Sequence, residues 1–143
     1  EGGIEKVPEL AFYIPLIMAM GGNIGVQSSA IVVQSLAKDS NPLGSIFKKI
    51  ARESIVALIN GAFLSILIFA IAFAFGNSTL GFVVSISLFA VILVAAIFGT
   101  LIPLLLNKYK IDPALATGPF ITTLNDVVGL FIYFTIGMMM YNL

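Results

Sequence analysis

The chain has 143 residues with a formal net charge of zero, and its 59% hydrophobic and 10% charged content lies far outside the range of soluble domains and belongs in a bilayer. Seven basic residues with no long run leave no electrostatic footprint for nucleic acid. Cysteine and histidine are both absent, which removes disulfides and the usual zinc, copper and haem sites and leaves only oxygen ligands, those of hard cations.

Residues 1–9, EGGIEKVPE, read as a polar, acidic flank with no fold of its own. The start at Glu1, without a basic segment and cleavage site before the first apolar run, reads as a fragment or processed chain rather than a signal peptide. From Leu10 to Ala37 the chain is charge-free, which exceeds the ~20 residues needed to cross a ~30 Å hydrocarbon core. This predicts a first span over about 10–37. Its centre, GGNIGVQSS at 21–29, is too glycine-rich and polar for a helix packed only against lipid. On a helix, Asn23, Gln27 and Gln34 fall within ~40° of one another and make one polar stripe. Gly21, Gly22 and Gly25 surround its upper end, where another backbone can come close or the helix can open. Two readings apply: packing glycines with amides as interhelical glue, or the lining of a pore or binding site. The stripe favours the second.

Lys38 to Glu53 is a polar loop, with turn chemistry in NPLGS at 41–45. Ser54 to Asn107 is again charge-free, long enough for two spans, with Gly76-Asn77-Ser78-Thr79 the turn-like break inside it. Spans are predicted over about 54–75 and 80–106. Asn60, Ser65, Ser85, Ser87 and Thr100 within them read as packing groups, which membrane helices use routinely. A short basic link, 108–112, leads to a last span over about 113–141. Met138, Met139 and Met140 are adjacent, point to different helix faces, and so suit lipid or partner packing better than a soft-metal site. Residues 10–143 are therefore expected to form one all-α domain of four transmembrane helices in a multi-pass membrane protein.

Loop charges orient the spans, because lysine and arginine in short loops stay cytoplasmic. The first connection carries Lys38, Lys48, Lys49 and Arg52, the second none, and the third Lys108 and Lys110. The first and third are expected inside, with 76–79 and both ends of the chain outside. An acidic external start needs something to translocate it, and one more span upstream would make five.

Between Pro113 and Leu143 the one charged side chain is Asp126. A carboxylate near the middle of a membrane helix costs ~2.5–3.5 kcal/mol on insertion scales, so it normally faces a bundle interior or a water-filled path. Pro113, Gly118 and Pro119 loosen the backbone ahead of it and leave carbonyls free to face a cavity. Pro119, Thr122, Asp126, Gly129 and Tyr133 follow a 3, 4, 3, 4 spacing that keeps them on one face, flanked by Thr123 and Asn125. The bland alternative is a protonated carboxyl serving as a hydrogen bond between helices.

Two long stretches carry a resemblance. FYIPLIMAMGGNIGVQSSAIVVQSLA at 12–37 contains GGNxGxQ from Gly21 to Gln27, and GTLIPLLLNKYKIDPALATGPFITTLNDVVGLFIYF at 99–134 contains DPAxxxGPFxTTxxD from Asp112 to Asp126. Both are similar to the transmembrane domain of the MgtE family of magnesium transporters and channels, and the resemblance runs through nearly the whole chain. It implies a homodimer of five-span protomers with a cation path along the twofold axis, and the family's pore aspartate falls on Asp126. Residues 1–143 have room for four spans, with the remaining one expected to be the first, and the soluble magnesium-sensing domains of bacterial members are not expected within this stretch.

Two carboxylates facing one path suit a divalent cation. Magnesium holds its water tightly, so a few oxygens and several retained waters make a plausible filter for the hydrated ion. Asp126 is expected to hold the cation, with the carbonyls near Thr122 and the hydroxyl of Thr123 or the amide of Asn125 ordering its waters. Asn23 and Gln27 line the opposite wall, and Gly21, Gly22, Gly25, Gly118 and Pro119 complete the lining. Mg2+ is cargo here rather than a resident cofactor. The rival reading is a sodium- or proton-coupled divalent cation transporter, whose architecture also uses Gly- and Pro-interrupted spans. A non-transporting scaffold subunit is a third. An enzyme is disfavoured, since the spanning carboxylate has no paired acid or base within the chain.

Overall fold

The computed structural model describes residues 7–38, 42–75 and 77–141. Expectations for the start of the acidic flank, for Asp39 and for Gly76 lie outside the described residues. Four long helices follow one another: α1 (Val7–Lys38), α2 (Pro42–Ala74), α3 (Ser78–Lys108) and α4 (Pro119–Tyr141). Each contains a stretch long and apolar enough to cross a membrane. Their order and length follow from the charge-free runs, since a backbone in hydrocarbon must satisfy its own hydrogen bonds.

The boundaries differ from expectation in three places, the first being that α1 begins at Val7 and takes in residues 7–9 of the flank expected to have no fold of its own. The polar stretch expected as a loop over 38–53 is mostly helical, because α2 begins at Pro42 and runs without interruption into the apolar segment. Proline is well suited to a first helical turn, and Lys48, Lys49, Arg52 and Glu53 are good helix formers. At ~1.5 Å per residue α2 is about 50 Å long, so its basic first turns extend past a ~30 Å core. Conversely, the last helix starts at Pro119 rather than Pro113. Residues Pro113–Ala116 form a single 3-10 turn, capped by Asp112 Oδ1 accepting from the Ala114 amide at 2.9 Å. Gly118 then adopts φ +63°, a conformation glycine tolerates, and Pro119 opens α4.

The α2–α3 turn is tied down at its N-cap. Asn77 Oδ1 accepts from the Leu80 amide at 3.0 Å, and its Nδ2 donates to Glu9 Oε2 at 2.8 Å. The start of α1 and the α2–α3 turn therefore lie at one end of the bundle.

Helix α3 is the central element and packs against the other three. Val83, Val84, Leu88, Val91, Ile92 and Ala95 form a continuous buried face against Ile17 and Ile24 of α1 and Tyr133 of α4. Val91 is the wedge where three helices meet. A Cβ at Gly21 of α1 would stand 2.9 Å from Val91 Cγ1, and one at Gly129 of α4 would stand 3.2 Å from it. Helix α1 stays helical through its glycine-rich centre, and the glycines serve close approach rather than a break. Of the hydroxyls expected to pack, Ser85, Ser87 and Thr100 are buried on α3, and Thr100 Oγ1 donates back to the Ala96 carbonyl at 3.0 Å. Met138, Met139 and Met140 are all exposed on the end of α4.

Candidate functional site

A cavity of about 350 Å³, open on one side, lies between α1 and α4. Met18, Ala19, Gly22, Asn23, Val26 and Gln27 line it from α1, and Thr122 and Asp126 from α4. The polar stripe of the first span and the carboxylate of the last therefore face one space. Helical period explains the grouping on each side: Ala19, Asn23 and Gln27 are spaced by four, as are Thr122 and Asp126. The remaining wall, Met18 and Val26, carries no polar signal in the sequence, although both are helical neighbours of the stripe.

The carboxylate reaches the cavity because α1 is thin at this level. A Cβ at Gly22 would come within 3.2 Å of Thr122 Cγ2 and 3.8 Å of Asp126 Oδ1. Any larger residue there would fill the space beside the carboxylate. Thr122 is itself oriented by its helix, its Oγ1 donating to the Gly118 carbonyl at 3.1 Å. That bond is made possible by the turn at Gly118, whose carbonyl also accepts from the Thr122 amide.

Other expected site residues stand elsewhere. Asn125 is buried and points into α1, its Nδ2 donating to the Gly21 carbonyl at 3.4 Å. Its amide nitrogen occupies the space that a side chain at Gly25 would need. Gly25 also receives α3, since a Cβ at Gly99 would stand 2.5 Å from the Gly25 carbonyl. Gly21 and Gly25 are thus packing positions behind the cavity wall. Thr123 and Pro119 line a separate groove on the outer side of α4, with Phe120, Leu124 and Val127. Further along α4, Gly129 and Tyr133 leave the cavity and turn into the core, because α4 crosses α1 and α3. Gln34 is exposed on α1, beyond the cavity lining.

An open space with one carboxylate, one hydroxyl and two amides, on the face shared by two apolar helices, is suited to a hydrated cation. The sequence profile of the MgtE family, described as a divalent cation transporter, matches residues 14–136. The chain belongs to the MgtE family. It is 43% identical over 138 residues to the magnesium transporter MgtE of Bacillus subtilis, a match that covers 96% of this chain and 31% of that protein. It is 37% identical over 140 residues to the magnesium transporter MgtE of Enterococcus faecalis, covering 97% of this chain and 31% of that protein. With the magnesium transporter MgtE of Thermus thermophilus the identity is 35% over 137 residues, covering 96% of this chain and 30% of that protein. The chain thus spans under a third of the length of these relatives. As an MgtE-family chain with four helices long and apolar enough to span a bilayer, it is a multi-pass membrane protein.

Proposed function

We propose that this chain forms the cation-conducting membrane portion of a magnesium transporter, in which Asp126 holds the hydrated ion within the bilayer. The observation that carries this reading is the convergence of Asp126 and Thr122 with Gly22, Asn23 and Gln27 on one open cavity between α1 and α4. A carboxylate set at membrane depth beside two exposed amides has the chemistry of an ion path rather than of helix glue.

The space has room for a hydrated ion. Six waters at roughly 30 Å³ each, the inner shell of octahedral magnesium, need about 180 Å³. The cavity volume of about 350 Å³ exceeds that requirement. Asn23 and Gln27 act on the retained waters through their amides, and Asp126 supplies the charge.

The cavity is open on the side where α1 exposes Ala19, Asn23 and Gln27. A second copy related by a twofold axis would close it and add a second Asp126, which suits a divalent ion. Pairing of two copies is part of this proposal. So is the orientation, with the basic first turns of α2 and the 108–112 link in the cytoplasm and the α2–α3 turn outside.

Uptake of Mg2+ by the intact protein in vesicles, with Mn2+, Co2+ and Ca2+ as competitors, tests the reading. Saturable Mg2+ uptake that these ions inhibit is the expected result. Uptake no greater than in protein-free vesicles contradicts it and favours the scaffold reading. Recording the same protein in a planar bilayer separates a channel, which gives unitary currents, from a coupled carrier, which does not.

A further inference from the structure

Asn125 stands one residue before Asp126 yet faces away from the cavity, into the contact between α4 and α1. It is 3% exposed, and its Oδ1 has no hydrogen-bond partner among the described residues. Its Nδ2 makes one long bond, 3.4 Å, to the Gly21 carbonyl. A buried amide with an unmatched carbonyl costs stability that an apolar side chain of similar size would not. The carbonyl half of the amide therefore adds nothing to fold stability here.

The contact it makes is specific. The Asn125 amide nitrogen fills the space of the missing Gly25 side chain, and Asn125 Cγ lies 3.0 Å from where that Cβ would be. One turn earlier on α1, Gly22 meets Thr122 and Asp126, the cavity-lining pair of α4. The Gly25–Asn125 contact and the Gly22–Asp126 gap are thus adjacent rungs of one interface. Changing the thickness of the first rung changes the width of the second.

We propose that Asn125 is a positioning residue whose amide, seated against Gly25, sets the gap between Asp126 and the Gly22–Asn23–Gln27 wall and so tunes which divalent cation the path prefers. This rests on the transport reading above. A tight gap favours an ion that keeps a compact, octahedral water shell, as Mg2+ does, over Ca2+, which takes more ligands at longer distances in flexible geometry.

The test is a double-mutant cycle in the intact transporter, with Gly25→Ala, Asn125→Ala and the double variant, read by Mg2+ and Ca2+ uptake and by thermal stability. Asn125→Ser is a milder variant should Asn125→Ala fold poorly. Gly25→Ala alone, which drives a methyl into the amide, is expected to lose most Mg2+ uptake. Asn125→Ala and Asn125→Ser are expected to retain Mg2+ uptake while their Mg2+/Ca2+ rate ratio falls roughly fivefold, the scale of coupling between contacting residues. In the double variant the methyl takes the place of the amide, and the ratio returns toward the parent value. A purely structural role would change stability and leave the ratio alone. An unchanged ratio in both Asn125 variants, or a double variant whose effects simply multiply, overturns the inference. Asp126→Asn, run alongside, separates the two claims: loss of its flux with an unchanged Asn125 ratio sinks this inference alone. Undiminished Asp126→Asn flux sinks the assignment of Asp126 as the charge that holds the ion, and this inference with it.

Discussion

The Tyr133 hydroxyl donates to the Leu10 carbonyl at 2.8 Å, tying the far half of α4 to the first turns of α1. Tyr133 is fully buried, so this bond is made where water cannot replace it. It fixes α1 and α4 at one end of the interface whose middle holds Asp126. Tyr133→Phe removes the hydroxyl and keeps the ring, and is expected to cost about 1 kcal/mol, the usual net worth of such a bond. Thermal unfolding in detergent checks this. Mg2+ uptake should persist, because the ring still fills its site.

A larger penalty is expected at Gly99. A Cβ there would stand 2.5 Å from the Gly25 carbonyl and 2.9 Å from Ser28 Cβ, and backbone cannot swing aside as a flexible side chain can. Gly99→Ala should destabilise by about 1–3 kcal/mol, the range for overpacking a close-packed core. Gly118→Ala is expected to cost less, about 1 kcal/mol, because open space surrounds that position and only its φ of +63° is unfavourable. Comparing the two thermal midpoints checks the order.

Orientation can be read with cysteines, since the chain has none of its own. Thr79, just past the α2–α3 turn, and Lys48, on the early turns of α2, are both exposed. An impermeant thiol reagent applied to intact cells is expected to label Thr79→Cys and not Lys48→Cys. The reverse pattern contradicts the proposed topology.

Pairing of two copies is tested in the same background. Ala19→Cys lies at the open edge of the cavity, and Ile59→Cys on the exposed side of α2. A short bifunctional thiol reagent should produce dimers from the first and leave the second monomeric. A transporting protein that gives no dimer from Ala19→Cys speaks against a path shared between copies.

Much of this arrangement is legible in the chain, for definite physical reasons. Absence of charge over 10–37 and 54–107 is enough to mark the membrane helices, because a bilayer tolerates little else. Asp126 stands out because an intramembrane carboxylate is costly, and Asn23 with Gln27 because amides repeat at helical spacing. Helical period shows which residues of one helix share a face, but not which neighbouring helix that face meets. Asn125 and Asp126 are adjacent, and only packing decides that one enters the α1 contact while the other opens on the cavity. The same limit hides Thr123, which shares a groove with Pro119 and Phe120 instead. The early start of α2 is hidden because polar residues suit a loop and a solvated helical turn equally well.

The most direct measurement is Mg2+ uptake by Asp126→Asn in the intact transporter, set beside Asp126→Ala, with thermal stability recorded for both. Asparagine keeps the size and hydrogen bonding of the carboxyl while deleting its charge. If the charge holds the ion, uptake should fall at least about tenfold, the factor that ~1.4 kcal/mol of lost attraction produces, with little change in stability. Normal uptake in Asp126→Asn, with instability confined to Asp126→Ala, would make the residue a protonated link between helices and contradict the account.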